Sequence, residues 1–437
     1  MNTTVAGAPH PYITALLGGC EPAREKLAWL AERRAAALER ANALTVPTTR
    51  DEEWRFTDIT PLTRVPLRAA VPGPRPQAGD IERFAVAEAG IRLTFVDGAF
   101  APELSEYAQL PHGVVVASLA AGLGSHGALI ERHLARHARF EQDVFAALNT
   151  AHLRDGALIW VAKNGRCPAP IHVLHLATQD GVATYPRCLV VAEAGAELTL
   201  IEDYASLAPG PYLTDAVAEI AVGERARVRH VRLQREAGAA FHIAACAVAL
   251  SRDGSYSSHA VTLGARISRH NLSVRQEGEG AEARLEGLTL ISGRQLADTH
   301  TALEHGRPNG RSRQLHKCVV GGAAHAVFSG KIMVAPGAQL TNSAQESRNL
   351  LLSDKAHVDT KPQLEIFADD VKCAHGATVG QLEAEPLFYL RSRGLPEQGA
   401  RNLLTYAFAA EIVDRIPVPS LVTQLRESVL AETGSAE

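Results

Sequence analysis

The run Asp369-Asp370-Val371-Lys372-Cys373-Ala374-His375-Gly376 holds the sharpest grouping of ligand-forming side chains in the sequence. In an extended chain Cys373 and His375 share one face, about 7 Å apart along the strand. A thiolate beside an imidazole suits iron, zinc or copper. Lys372 would favour the thiolate if its side chain turned the same way. Two ligands are half of a tetrahedral set, so a metal here needs others from distant parts of the chain or from another chain. A Cys-x-His pair also occurs in strands as plain packing, and the residues alone leave both readings open.

Other combinations are weaker. His133 and His137 stand four apart on an expected helix, a spacing that can bind metal. No glutamate follows His133, so the zinc-protease motif is absent and a solvated face is the simpler reading. His172 and His175 lie in a strand-like run and read as packing or edge residues. The cysteines are Cys20, Cys167, Cys188, Cys246, Cys318 and Cys373, with no C-x-x-C among them. Such scattered thiols form neither a disulfide framework nor a self-contained zinc site, and most read as small buried hydrophobes. There is no G-x-x-x-x-G-K-[ST] and no G-x-S-x-G. Gly18-Gly19 and the Gly122/Gly124 pair lack the strand–turn–helix setting of a phosphate cradle. Asp359, Asp369 and Asp370 could line a polysaccharide cleft, although outward carboxylates on alternating strands are commonplace.

The elements that must hold these groups change in character along 437 residues. Leu27, Leu30, Arg34 and Leu38 mark a helical stripe. Ile91 to Asp97 reads as a strand and Phe140 to Leu153 as a helix. From about Ala157 strict alternation takes over. Ala281, Ala283 and Leu285 alternate with Glu282, Arg284 and Glu286, and Leu364 and Ile366 with Gln363 and Glu365. Period two means half-buried strand. A small-residue turn followed by a strand recurs at Gly195-Ala196, Gly280-Ala281 and Gly337-Ala338, with Lys355-Ala356 as a variant and related turns at Gly223 and Gly254. Steps of roughly 20–30 residues fit stacked coils. The pattern leaves a parallel β-solenoid or a large sandwich. It disfavours a doubly wound α/β sheet, since no helical crossovers interrupt the strands.

After Thr378 the helical period returns. Leu387, Phe388, Tyr389 and Leu390 fall in a short helix before Gly394, and Leu403, Leu404, Ala407, Phe408 and Ile412 in a longer one. Phe388, Tyr389, Leu403 and Phe408 exceed what a terminal cap needs. They either pack these helices together or form a docking surface.

Net charge is −4 without a long basic run, so nucleic acid is not the expected partner. No stretch approaches the roughly 18 apolar residues of a membrane span. The first residues carry no leader pattern, and the expected location is the cytoplasm.

Residues 316–394 include KPQLEIFADDVKCAHGATVGQL and LFYLRSRG, and residues 52–62 read EEWRFTDITPL. These stretches resemble the SufB/SufD family of iron–sulfur cluster assembly proteins. His375-Gly376-Ala377-Thr378 and the cysteine-free segment Glu346 to Leu350 favour the SufD branch over the SufB branch. Ala374 stands where that branch suggests serine. The resemblance implies a mainly β fold, with a right-handed parallel β-helix over 156–375. A mixed α/β region, 1–155, would precede it and a helical domain, 376–437, would follow. It implies a scaffold without turnover of its own, pairing with a SufB-like paralogue and docking a SufC-like ATPase, the latter through the helices bearing Phe388, Tyr389, Leu403 and Phe408. Cys373 and His375 match the interface Cys and His, as ligands shared with the partner. The isolated chain would then hold no cofactor, the complex would carry iron or a cluster in transit, and the chain alone could form a homodimer. Two other classes compete: a stand-alone metalloenzyme using Cys373 and His375, and a carbohydrate-active β-helix enzyme.

Overall fold

The computed structural model describes residues 10–434, apart from 22–24, 72, 74 and 108. It is mainly β, a solenoid of about eight turns between an N-terminal α/β region and C-terminal helices. Two eleven-stranded sheets stack face to face, and each coil gives one strand to each sheet. In one sheet the strands Glu197–Ser206, Arg227–Arg235, Ser255–Thr262, Glu282–Ile291, Arg311–Val320, Asn342–Leu351 and Lys372–Gln381 pair in parallel, in that order. The partners Glu197, Arg227, Ser255, Glu282, Arg311, Asn342 and Lys372 lie 30, 28, 27, 29, 31 and 30 residues apart. The other sheet ends with Leu296–His305, His325–Val334 and His357–Ile366.

One corner of each coil repeats the same backbone device. Asn164, Gly195, Arg225, Asp253, Gly280, Asn309 and Leu340 all have φ between 54° and 72°. From Gly195 onward each precedes the start of its strand by two residues. Only a left-handed residue makes so sharp a corner. The alanines that follow Gly195, Arg225 and Gly280 have no solvent exposure, so they stack inside the coils. The Gly-Ala signal at 195 and 280 therefore marks real corners. At Gly337-Ala338 it misplaces the strained residue, which is Leu340. Lys355-Ala356 belongs to the opposite corner, ahead of His357–Ile366.

Both outer faces are covered along much of their length, which is why alternation blurs there. The helix Ala28–Ala43 buries Ala37 and Ala41 in a cluster with Phe145 and Leu148 of Val144–Ala151 and with Leu213, Phe241 and Ile243 of the sheet. Asp143 caps Val144–Ala151 by accepting from the backbone N–H of Phe145 (2.9 Å). The segment EEWRFTDITPL docks on the same face. Thr57 donates to Asp298 (2.5 Å), and the Arg269 guanidinium lies 3.9 Å from the Trp54 ring centre. On the other sheet Ile412, Val413, Leu421, Leu425 and Val429 pack on Ile201, Val231, Leu233, Leu288 and Leu290.

The last strand runs through His375 to Gln381, and the first C-terminal helix is Ala384–Ser392. The helical part thus begins several residues after 376. Among the described residues no helix is long and apolar enough to cross a membrane.

Candidate functional site at the open end of the solenoid

The two ends of the solenoid are finished differently. At the N-terminal end Ile91–Val96 and Val114–Ser118 close the sheets with antiparallel pairings. At the C-terminal end His357–Ile366 and Lys372–Gln381 are the last strands of their sheets, each paired on one side only. Edge strands are normally blunted or covered, because unpaired N–H and C=O groups template association. Here Ile366, Phe367 and Val379 are 40 %, 60 % and 48 % exposed on an uncapped coil.

Cys373 and His375 sit on that last strand, on one face, as period two requires. Their register partners are Ser343 and Gln345, both buried. The shared face therefore looks inward, at the mouth of the solenoid interior. Cys373 is half-buried beside Ile332, Val334, Ala338 and Leu364. Burial pushes its thiol above the ordinary range, and a backbone hydrogen bond at Ser343 only partly offsets this. Lys372 lies on the opposite face, so the expectation that it helps ionise the thiol does not hold. His375 is exposed.

Below the mouth the interior is polar. Gln345 donates to Gln314 (2.9 Å), and Gln314 donates to Thr301 (2.8 Å). Ser312 and Ser343 are hydrogen-bonded at 2.6 Å, and His305 meets Ser312 at 3.1 Å. Gln345 Oε1 and Asn349 Oδ1 are buried with no partner. Gly330 makes room for this ladder, since a Cβ there would lie 1.7 Å from Gln345 Nε2. The sequence reading passed over Ser343, Gln314 and Gln345. The signal was register: Ser312, Ser343 and Cys373 are one coil apart, as are Gln314, Gln345 and His375.

A cleft of about 420 Å³ adjoins the strand, and its lining includes His375 with Ala374, Gly376, Glu286, Glu411 and Arg415. Lys317, nearly buried, fixes the helix Glu397–Val413 above it. Its ammonium pairs with Glu411 (2.5 Å), donates to the Phe408 carbonyl (2.9 Å) and sits 4.3 Å from the Phe408 ring centre. Phe408 thus packs against the solenoid. Phe388, Tyr389 and Leu403 are 72 %, 56 % and 43 % exposed.

The remaining candidates are structural in character. His133 Nδ1 and His137 Nε2 lie 3.4 Å apart, and burial pushes both imidazoles down. His172 pairs with Asp203, and His175 is buried between Phe95 and Tyr204. Cys167, Cys188, Cys246 and Cys318 are buried, as small hydrophobes should be.

Residues 175–408 match the family model described as "SUF system FeS cluster assembly, SufBD core domain", and residues 23–173 match "SufBD protein N-terminal region". The chain belongs to the SufB/SufD family. It is 42% identical to the iron–sulfur cluster assembly SufBD family protein slr0076 of Synechocystis, over 92% of this chain and 91% of that one. It is 35% identical to the iron–sulfur cluster assembly protein SufD of Escherichia coli, over 89% of each chain. Protein ABCI7, chloroplastic, of Arabidopsis thaliana is 30% identical over 88% of this chain and 82% of its own. The chain is a SufD-like iron–sulfur cluster assembly protein.

Proposed function

We propose that this chain is a scaffold subunit, without turnover of its own, that joins a SufB-like paralogue through the open end of the solenoid and docks a SufC-like ATPase on its C-terminal helices. It works in the cytoplasm. The observation that carries this reading is the uncapped last coil. Two long edge strands and the open solenoid interior end in solvent, beside the exposed Ile366, Phe367 and Val379 and with a thiol and an imidazole at the mouth. A paralogue continuing both sheets would cover the apolar side chains, pair the free backbone groups and supply further ligands. Iron or a cluster is then cargo, held between two chains and released from them. A shared site suits that task because neither chain alone offers a full ligand set.

The exposed pair Phe388 and Tyr389 supports the second contact. Aromatic side chains are enriched at interface cores. Phe408 does not belong with them, since its ring is held under Lys317. Removing the whole helical region is a poor test, because its buried face covers Ile201, Val231 and Leu288 of the sheet. The better test is Phe388→Asp with Tyr389→Asp in the tagged full chain, purified from its own cell extract. The unsubstituted chain should bring down a P-loop ATPase and a paralogue. The double variant should keep the paralogue and lose the ATPase. Recovery of both partners with the double variant would refute the docking role. Recovery of neither with the unsubstituted chain would refute the scaffold reading.

A further inference from the structure

His325 and His357 open neighbouring strands of the sheet opposite Cys373, and they are direct register partners. Asp359 follows His357 by two residues and so lies on the same face. His325 Nε2 and His357 Nε2 both converge on one oxygen, Asp359 Oδ2, at 2.8 and 3.2 Å. The two imidazole rings are 4.9 Å apart, and the three ligand atoms all lie within 4.8 Å of one another. Among the described residues this is the one group of three such side chains so close together.

We propose that His325, His357 and Asp359 bind a divalent first-row transition metal at the outer rim of the solenoid's open end. The donor set selects the class. Two imidazoles and one carboxylate suit Zn²⁺, Fe²⁺ and Co²⁺, whereas Mg²⁺ and Ca²⁺ favour oxygen alone. The geometry is close to what such an ion needs. Ligand bonds of about 2.0–2.2 Å place cis ligand atoms roughly 3 Å apart, so small side-chain rotations admit the ion. Both imidazoles present Nε2 to the centre, and a tautomer shift to Nδ1–H frees each lone pair. The sites remaining on the ion are accessible. Among the described residues His357–Ile366 is an edge strand with no neighbour beyond it, and the His357 side chain is 65 % exposed. Water or a group from another chain can complete the coordination.

This site is separate from Cys373 and His375. It lies on the outer face, and Cys373 packs with Leu364, near the far end of the same strand. The seven steps of strand from His357 to Leu364 span about 23 Å. The inference therefore stands apart from the scaffold reading. It rests on spacing of one coil, 32 residues from His325 to His357, which only the register converts into contact.

Co²⁺ titration of the chelator-treated full chain tests it, followed by visible d–d absorption and equilibrium dialysis. The unsubstituted chain should take up one equivalent with imidazole–carboxylate spectra and no thiolate charge-transfer band. Zn²⁺ should displace it, Fe²⁺ without oxygen should compete only in excess, and excess Mg²⁺ should not compete. Cys373→Ser should leave the signal unchanged. His357→Ala and Asp359→Ala should each weaken binding at least about tenfold, since even an outer-shell partner is worth that much. His357 is largely solvated, so its replacement spares the fold, and circular dichroism checks this. Equal Co²⁺ affinity in the unsubstituted chain and His357→Ala would overturn the proposal, as would a thiolate band that disappears with Cys373→Ser.

Discussion

His175, His305 and His316 line the solenoid interior, and His152 is buried under the N-terminal helices. Burial lowers each from the ordinary 6.5 to about 4. Between those values the unfolded chain takes up protons that the native chain refuses. Stability therefore falls as pH drops from about 6.5 towards 4. Glu202 acts in the same direction lower down. Burial pushes it up, but the His230 hydrogen bond and charge pull it to about 2. Its contribution is present above the unfolded carboxylate range and disappears as pH falls through 2. We expect the urea midpoint to be clearly lower at pH 5.5 than at pH 7.5, with the shift reduced in His316→Gln. An unchanged midpoint across that interval would refute the neutral-histidine assignment. At this scale the sequence was readable only in part. Period two put Cys373 and His375 on one face, but the face could have been the outer one. Alternation is symmetric, and only the buried partners Ser343 and Gln345 fix its direction. Nothing local marked Phe408 as a packing residue, because its partner Lys317 is distant in sequence.

Among the elements, the solenoid corners carry the clearest mechanical consequence. The Leu340 backbone sits at φ 61° with its side chain 56 % exposed, so strain is present with little packing in return. A left-handed L-residue costs about 1 kcal/mol or more, and asparagine tolerates the conformation best after glycine. Leu340→Asn should raise the thermal midpoint of the isolated chain. Leu340→Val should lower it, because β-branching crowds that region. A valine variant as stable as the unsubstituted chain would contradict the corner assignment. These corners also explain why the repeat looked degenerate. The same position holds Asn164, Gly195, Arg225, Asp253, Gly280, Asn309 and Leu340, so no single residue type announces it. The strands themselves were legible from alternation, wherever one outer face stayed wet. The boundary near 376 was not, because Lys372–Gln381 is an exposed edge strand whose inner-face partners lie on another coil.

Across the whole molecule, a closed N-terminal end faces away from an open C-terminal end of the solenoid. The N-terminal region and the C-terminal helices each cover the outer face of one sheet and leave the edges of the last coil open, with Lys361 there paired to Glu52. The family was legible in the sequence through KPQLEIFADDVKCAHGATVGQL, whereas the change of period near 157 marked a strand-rich region and left a solenoid or a sandwich open until the resemblance chose the β-helix. The free edges of the last coil favour pairing with another chain and name none. We propose that Cys373 and His375 serve cluster assembly at the open end. The most direct test is the iron content, sulfide content and absorbance of complexes purified with the same partner subunits in equal ratio. His375→Ala should assemble normally and carry several-fold less cluster, and Cys373→Ala should act in the same direction, more weakly if the thiol supports rather than ligates the metal. Cluster yields from both variants equal to those of the unsubstituted complex would contradict the claim.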